Sequence, residues 1–346
     1  MGMELVVERF GLGRLEGEPV RVPGGLSNEL WRVRTGRGDF AVKRMVVNAR
    51  LPEFVGNVEA AYAVEQRAWA AGVPMPEPVP VDGRALVRVD GELYRVHRWV
   101  EGKPGAQGQP KAEGKGAQGQ PQAEGKGAQG QPQVEGTAAQ GRPQAEGTAA
   151  QGRPQAEGTA AEERPQAEEK GVQARRARAT ADSAAELLAD IHAAGRPRRR
   201  TLPGLSWDGR RWGGKLINLA QRVAGGPRET LVVYSHRDLD PKNTLRDADG
   251  RLLAVDWDAA GPISAIHEAV ALALDWRDWT ALATYEQRTG RTVPAEPWIF
   301  GGWVAAQGGW LDHTADDGTR AALLELAESL DDLITELGRP PARPAS

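Results

Sequence analysis

The sequence predicts an α+β fold with two lobes, a small antiparallel β lobe with one long helix and a larger, mainly helical lobe. Three observations predict it. Short alternating apolar runs separated by Gly and Pro fill most of the first hundred residues. Helical periodicity dominates after residue 180. Between them lies a repetitive segment with almost no large apolar side chains, which cannot form a core.

Composition excludes several classes of function. A formal net charge of −3 gives no electrostatic case for nucleic acid or an anionic membrane. The absence of Cys excludes disulfides, thiolate metal sites and Cys nucleophiles, and the five His form no H-x-x-x-H pair of a zinc enzyme. The N-terminus is charged and unlike a signal peptide, and no apolar run approaches the ~20 residues of a membrane span. We expect a soluble, cytoplasmic protein.

The first block is expected to run strand–strand–strand–helix–strand–strand after a short amphipathic helix at 3–10. The strands are expected at 18–22, 29–35, 39–45, 85–89 and 93–100, and the long helix at 52–71. Val55, Val58, Tyr62 and Trp69 share one face of that helix. Gly72 and the prolines that follow end it.

Residues 105–170 repeat one eleven-residue unit six times, with Pro at 110, 121, 132, 143, 154 and 165. Pro and Gly in the units oppose helix formation, so we predict a disordered insert without a catalytic role. A partner-binding or tethering segment is the alternative. The predicted divisions are a first lobe with its linker (1–102), the insert (103–176), a second, mainly helical lobe (177–338) and a disordered tail (339–346).

The second block is expected to hold helices at 180–194, 211–224, 265–277, 278–288, 296–311 and 318–337. A strand at 231–234 precedes residues 236–243, and Gly261–Pro262 are expected to break the chain. His236 is expected to hold the loop through hydrogen bonds, and His192 to serve packing or the helix dipole. Glu268 either braces the loop or is an exposed first-turn residue.

The pattern that points to chemistry is HRDLDPKN at 236–243, followed by Asp256 at the end of an apolar run. It matches the kinase catalytic-loop pattern H-R-D-L-x-x-x-N. Phosphoryl transfer needs a group for the proton of the attacking hydroxyl, and oxygen ligands for Mg²⁺. Asp238 is the candidate base, and Asn243 and Asp256 are the candidate metal ligands. A turn at 247–250 between two short strands is expected to bring both ligands to one end of a hairpin.

The first block carries candidate nucleotide-binding residues. Gly24 and Gly25 allow a tight turn whose N–H groups approach phosphates, and Ser27 adds a hydroxyl donor. Lys43 lies within a strand, as in the V-A-I-K signature whose Lys pairs with nucleotide phosphates. Glu65 and Glu59 flank the apolar face of the helix on opposite sides, where an ion pair to Lys43 could form. Glu65 is the preferred partner of Lys43, and Glu59 is the alternative.

The last strand of the first block, in YRVHRWVEG, runs into a linker. In a kinase such a linker offers backbone groups to adenine. Arg98 and Val100 are the candidate contributors.

The segments GGLSN, AVK, AAGVPMPEP, VHRWVEG, LLADIHAAG, HRDLDPKN and AVDWD occur in this order. They resemble the aminoglycoside phosphotransferase-like small-molecule kinases, which share the two-lobed protein-kinase-like fold. The resemblance implies ATP and Mg²⁺ as cofactors and a hydroxylated small molecule as acceptor. It implies Asp238 as base, Asn243 and Asp256 as Mg²⁺ ligands assisted by Asp258, and Lys43 on the ATP phosphates. Two features depart from the family pattern, Arg237 where many members carry Gly, and the repeats.

Two other functions stay open at this point, a protein serine/threonine kinase and an inactive nucleotide-binding scaffold. Trp257–Asp258 replaces Phe-Gly after the metal-ligand Asp, and only 12 positions separate Asp256 from Glu268, which disfavours a peptide-docking activation segment. The scaffold is disfavoured because all expected catalytic carboxylates are present. On the acceptor side, acidic residues of the last third either bind a polyamine or form solvated helix faces. Trp298, Trp303 and Trp310 either stack on a sugar or fill the core.

Overall fold

The computed structural model describes residues 2–23, 28–104, 180–201 and 207–339. Its N-terminal part is a five-stranded antiparallel sheet with the strand order β1-β2-β3-β5-β4. The strands are β1 (Val20–Val22), β2 (Asn28–Thr35), β3 (Gly38–Met45), β4 (Val87–Val89) and β5 (Glu92–Arg98). Helix α1 (Met3–Arg9) precedes the sheet, and helix α2 (Phe54–Ala70) connects β3 to β4. Every element expected before the repeat is present.

Alternation along the central strands gives the sheet two packed faces. Val42 and Val96 are buried with Val6 of α1 on one face, and Met45 packs with Val58 of α2 on the other. Because side chains alternate along a strand, the odd-numbered residues of β3 and β5 point toward α2. The candidate site is built on this second face.

The C-terminal part is mainly helical. Its helices are α3 (180–194), α4 (Gly214–Val223), α5 (Ala265–Asp275), α6 (Thr280–Thr289), α7 (Gly301–Thr314) and α8 (Asp317–Leu337). Apolar side chains from these helices share one core, including Leu188, Leu219, Val270, Val304 and Leu323. The helices expected after residue 180 are therefore all present.

Two small antiparallel sheets, β10-β9-β6 and β11-β8-β7, complete this part. Their strands are β6 (Lys103–Pro104), β7 (Arg198–Arg200), β8 (Thr230–Ser235), β9 (Thr244–Arg246), β10 (Leu252–Ala254) and β11 (Gly261–Ser264). β8 leads directly into residues 236–243. The β9–β10 pair is the hairpin expected from the spacing, with Ala254 opposite Thr244.

Gly261 and Pro262 do not break the chain as expected. They begin β11, in which Pro262 lies opposite Tyr234 of β8. β11 is an edge strand, and Pro is tolerated there because an edge strand has one side without a hydrogen-bonded neighbour. β7 was not predicted either, because its sequence Arg-Arg-Arg has no apolar residue to give a strand pattern.

The predicted α+β fold with a small antiparallel lobe and a larger helical lobe is confirmed. The described residues on both sides of the repeat lie in one compact unit. The predicted disordered insert lies outside the described residues except at its very start, and so does the tail from residue 340. Within the described ranges, no helix combines the length and apolar character that a bilayer crossing requires.

Candidate active site

The loop at 236–243 is held on both sides by hydrogen bonds. His236 Nε2 lies 2.9 Å from the carbonyl oxygen of Val255, and burial lowers the pKa of His236, so the ring is neutral at pH 7. On the other side, Trp276 Nε1 donates to the carbonyl oxygen of Leu239 at 3.0 Å. The structural role expected of His236 is confirmed.

A buried carboxylate braces the same loop. Arg237 adopts a φ of +69°, a left-handed conformation that is uncommon for a non-glycine residue. Its backbone N–H donates to Glu268 Oε1 at 2.6 Å, and Glu268 Oε2 lies 2.8 Å from His192 Nε2. Glu268 is only 3% exposed. The bracing role expected for Glu268 is therefore confirmed, and His192 belongs to the same buried network.

Asp238 and Asn243 form a hydrogen-bonded pair in the middle of the loop. Asn243 Nδ2 donates to Asp238 Oδ2 and to the Asp238 carbonyl oxygen, each at 2.9 Å. Asp240 shapes the turn between them, because its Oδ1 accepts from the backbone N–H groups of Lys242 and Asn243. Burial, reinforced by the negative charge of Asp240, raises the pKa of Asp238 to about 7. A carboxylate with a pKa near neutrality is suited to accepting a proton.

The hairpin places Asp256 beside this pair. The backbone N–H of Val255 donates to the carbonyl oxygen of Asn243 at 2.9 Å, which closes the hairpin at the end where the candidate metal ligands lie. Asp256 has a φ of +63°, and left-handed conformations of non-glycine residues cluster at functional sites. Its side chain is 46% exposed, so the carboxylate is open to a ligand.

Lys43 reaches these acids from β3. Its Nζ donates to Asp256 Oδ1 at 2.7 Å and to Asp258 Oδ2 at 2.8 Å. Burial alone would lower the pKa of Lys43, but the two carboxylates outweigh it and raise the pKa above its usual value. Lys43 therefore carries a positive charge at neutral pH. Residues far apart in the sequence, at 43 and at 256–258, are brought together as the motifs predict.

The ion pair expected between Lys43 and Glu65 is not formed, and that prediction was wrong. Glu65 Oε2 accepts a hydrogen bond from Arg95, and Glu65 Oε1 lies 2.9 Å from His97 Nε2. Glu59, the alternative partner, accepts instead from backbone N–H groups, those of Ala85 and Leu86, at 3.2 and 3.0 Å.

Arg95 explains the difference. It lies directly opposite Lys43 in the β3–β5 pairing, a position in which like charges repel. Arg95 donates to Glu65 and to Asp258 Oδ1, while Asp258 Oδ2 accepts from Lys43. Glu65, Arg95, Asp258 and Lys43 thus form an alternating series of charges, which we term the ion chain. It links α2 to β3 with Asp258 between the two cations.

The contacts of Asp258 differ from those expected of a residue that assists a metal. Both of its oxygens are engaged by cations, and Asn28 Nδ2 lies 3.4 Å from Oδ2. Although burial opposes it, the charges of Lys43 and Arg95 hold the pKa of Asp258 well below its usual range. The contacts therefore make Asp258 an anchor for Lys43.

Two oxygen donors stay open for a metal. Asp256 Oδ2 and Asn243 Oδ1 accept no hydrogen bond from any described residue. They are the hard donors that Mg²⁺ prefers, and Mg²⁺ is commonly bound by one or two carboxylates together with substrate phosphates. Among the described residues, no group of three or more His, Asp or Glu side chains is arranged to hold a metal ion.

The candidate nucleotide contacts are only partly described. Gly24, Gly25 and Ser27 lie outside the described residues. The backbone N–H of Arg98 is engaged by the carbonyl oxygen of Glu77 at 2.8 Å. The N–H of Val100 donates to no described residue, so among these residues it is open to a ligand.

Two residues near the site were not predicted, Arg95 and Asp275. Arg95 could have been found from the sequence, because alternation along β5 places its side chain on the same face as His97 and opposite to the buried Tyr94 and Val96. Asp275 accepts from Trp303 Nε1 at 2.9 Å. Burial, reinforced by the charges of Asp240 and Asp238, raises the pKa of Asp275 to about 7. Nothing in the sequence indicated that Asp275 is buried, since an Asp at a helix end is usually solvated.

Several acidic residues of the last third have structural partners. Asp312 accepts from the indole N–H groups of Trp207 and Trp212, and Asp316 caps α8 through the N–H of Thr319. Glu328 and Asp331 form ion pairs with Lys215 and Arg222. These contacts favour the interpretation as solvated, ion-paired helix faces over a polyamine site.

A model of a known protein family matches part of this chain. Residues 18–170 match the sequence model of the phosphotransferase enzyme family. The matched span contains Lys43 and Glu65 and ends before the loop at 236–243. A comparison with curated protein sequences found no match to this chain.

Solved structures share the fold. Spectinomycin phosphotransferase in complex with ADP and spectinomycin superposes with a TM-score of 0.53 at 9% identity, over 97% of this chain and 93% of that one. A putative aminoglycoside phosphotransferase from Ralstonia eutropha superposes with a TM-score of 0.51 at 14% identity, over 97% of this chain and 96% of that one. A microcompartment-associated aminopropanol kinase superposes with a TM-score of 0.50 at 14% identity, over 97% of this chain and 100% of that one. The family match and the shared fold confirm the resemblance that the motifs indicated, to the aminoglycoside phosphotransferase-like small-molecule kinases.

Proposed function

We propose that this chain transfers the γ-phosphate of ATP, with Mg²⁺, to a hydroxyl group of a small molecule. The observation that carries the proposal is the meeting of Lys43 with Asp256 and Asp258, at 2.7 and 2.8 Å. It joins the candidate phosphate-binding residue of the first lobe to the candidate metal ligand that follows the loop at 236–243. The match to the phosphotransferase enzyme family supports the same chemistry.

Asp238 is the proposed base. Asn243 donates to its Oδ2, and this bond orients the carboxylate while Oδ1 stays available to the acceptor hydroxyl. Its pKa, raised to about 7 chiefly by burial, favours proton uptake from a weak acid. General acid–base catalysis of this kind contributes about 10²–10⁴-fold to a rate.

Asn243 Oδ1 and Asp256 Oδ2 would hold Mg²⁺ together with the ATP phosphates. Bound there, Mg²⁺ neutralises the charge that develops on the transferring phosphoryl group. Lys43 adds a fixed positive charge to the same phosphates, and Asp258 keeps it in place. The open N–H of Val100 is the proposed donor to adenine, with Arg98 supplying a backbone group and Gly24, Gly25 and Ser27 the phosphate-facing turn.

A small-molecule acceptor is favoured over a peptide by the chain between Asp256 and α5. Helix α5 begins at Ala265, nine positions after Asp256. A 3₁₀ turn (Trp257–Ala259) and β11 occupy nearly all of that stretch. No segment is left there to dock a peptide as the activation segment of a protein kinase does. The use of ATP also suits the cytoplasmic location that the sequence predicts.

The test is a screen of the purified full-length protein with ATP and Mg²⁺ against aminoglycosides, macrolides, sugars and amino alcohols, with a mixed serine/threonine peptide as a further arm. ADP release is measured, and the product is identified by mass. We expect phosphorylation of at least one hydroxylated small molecule and none of the peptide. Phosphorylation of the peptide alone would make the chain a protein kinase, and nucleotide binding without any turnover would make it a scaffold.

A further inference from the structure

A second charged site lies outside the candidate active site, where α2 meets β7 and β8. A cavity of about 180 Å³ is lined by four arginines together with Val232 and Tyr234. The arginines are Arg67, Arg196, Arg198 and Arg200. None of the described lining residues is an Asp or a Glu. Four positive charges around one small cavity in a chain of net charge −3 form a local concentration of one sign.

The strand geometry explains how the arginines converge. β7 pairs with β8 so that Arg198 lies opposite Val232 and Arg200 opposite Thr230. Since side chains alternate along a strand, Arg198 and Arg200 share one face and Arg199 points to the other. Arg67 approaches from α2, with its guanidinium carbon 4.8 Å from the centre of the Tyr234 ring.

These arginines have no anionic partner among the described residues. By contrast, Arg210, Arg222 and Arg288 each form an ion pair with an Asp. None of the four cavity arginines forms one. In addition, Arg67 Nε is buried without a hydrogen-bond partner. A bound anion would give this buried donor a hydrogen-bond acceptor.

We propose that this cavity binds a small phosphate-bearing anion, inorganic phosphate or the terminal group of a phosphomonoester. Guanidinium groups match phosphate oxygens through paired hydrogen bonds, which makes Arg the preferred side chain for this chemistry. The cavity is smaller than the roughly 300–1,000 Å³ of pockets for drug-sized ligands, which suits a single phosphate group.

An anion bound in this cavity would link two elements that carry the candidate active site. Arg67 follows Glu65 of the ion chain by two residues on α2, and Tyr234 precedes His236 of the catalytic loop by two residues on β8. A phosphate held by Arg67, Arg198 and Arg200 therefore connects α2 to the β7–β8 pair. Binding to the folded state alone raises the melting temperature as ligand is added.

The test is titration calorimetry of the full-length protein with inorganic phosphate at low salt, supported by melting curves. The double variant Arg198→Ala/Arg200→Ala removes two cavity charges. Arg199→Ala is the matched control, because it removes a charge from the same strand on the opposite face. Lys43→Ala reports on phosphate bound at the candidate active site instead. The mutated arginines are exposed, and circular dichroism checks the fold of each variant.

We expect the wild type and Arg199→Ala to bind phosphate alike, and the double variant to bind at least about tenfold more weakly through loss of charge-assisted hydrogen bonds. The phosphate-dependent rise in melting temperature should be lost in the same variant. Equal binding by the double variant and Arg199→Ala, or binding lost only in Lys43→Ala, overturns the proposal. Binding of a single-stranded RNA oligomer but not phosphate overturns it in favour of a nucleic-acid surface.

Discussion

Replacing Arg95 with Met tests whether the ion chain holds the site together. Arg95 and Glu65 side chains are 2% and 0% exposed, and Arg95 donates to Glu65 and Asp258. Met preserves much of the volume and removes the charge. The change leaves Glu65 buried with His97 as its remaining partner, and Asp258 with Lys43.

The magnitude follows from the cost of an uncompensated buried charge. Breaking a buried ion pair by removing one partner costs about 3–5 kcal/mol. His97 still pairs with Glu65 and Lys43 still pairs with Asp258, so both carboxylates stay partly neutralised. We therefore expect the free energy of unfolding at pH 7 to fall by about 3 kcal/mol. This is a large part of the roughly 5–15 kcal/mol that stabilises a typical domain.

The loss should depend on pH with a defined sign. In the wild type, burial raises the pKa of Glu65, but Arg95 and His97 outweigh it and lower the pKa below 4.5. Glu65 therefore stabilises the fold above its ordinary pKa, and this contribution is lost as pH falls through the lowered pKa. Without Arg95, burial dominates and raises the pKa of Glu65. The variant then recovers stability as Glu65 becomes protonated, so the difference from the wild type narrows between pH 7 and 5.

The assay is urea unfolding followed by circular dichroism at pH 7 and pH 5. Arg21→Met is the matched control, because Arg21 forms an ion pair with Glu29 at 3.3 Å from a side chain that is 67% exposed. Exposed pairs contribute less than about 1 kcal/mol. A free energy of unfolding for Arg95→Met within about 1 kcal/mol of the wild-type value at pH 7, or a loss of stability that grows toward pH 5, would contradict the role of the ion chain.

Three further predictions follow from other parts of the molecule. Gly195→Ala should destabilise the fold by about 1–3 kcal/mol in urea unfolding, because a Cβ would lie 2.4 Å from the Tyr234 carbonyl oxygen. Gly309→Ala, in open space on α7, should leave stability equal or higher, and similar losses in both variants would contradict this. Burial lowers the pKa of His267 to about 4, so the unfolded chain takes up a proton between pH 6.5 and 4 that the fold does not. Between pH 6.5 and 4, His267→Gln should therefore lose about 3 kcal/mol less stability than the wild type. Parallel pH profiles of the free energy of unfolding would contradict the lowered pKa of His267. Deleting residues 105–170 should leave phosphoryl transfer intact, and loss of activity in a still-folded deletion protein would contradict the predicted lack of a catalytic role.

Local patterns in the sequence predicted the features that depend on nearby residues. The alternation of β2 and β3 and the periodicity of α2 predict those elements, because such patterns follow the side chains that face a core. Trp69 is the exception in α2, since it was expected on the apolar face and is 41% exposed. The hairpin at 244–254 was equally predictable, since turn chemistry and strand length fix its geometry. It brings Asn243 and Asp256 to one end as expected.

The partner of Lys43 could not be predicted in the same way. Helix periodicity placed Glu65 at the edge of the apolar face of α2, but which cation it meets depends on the β3–β5 register. That register puts Arg95 opposite Lys43, and no local pattern encodes it. β7 was missed for a related reason, because its strand conformation comes from pairing with β8 and not from its own three arginines.

Asp238 and Asp256 are the residues proposed to carry out phosphoryl transfer, and the sharpest test of their roles is single-turnover transfer of phosphate from ATP to an identified acceptor. Wild type is compared with Asp238→Asn, Asp256→Asn and, as a control, Asp249→Asn in the exposed turn of the hairpin. We expect the transfer rate to fall about 10²–10⁴-fold in Asp238→Asn, with a loss of similar order in Asp256→Asn and wild-type activity in the control. Transfer that survives both Asp238→Asn and Asp256→Asn would contradict the account.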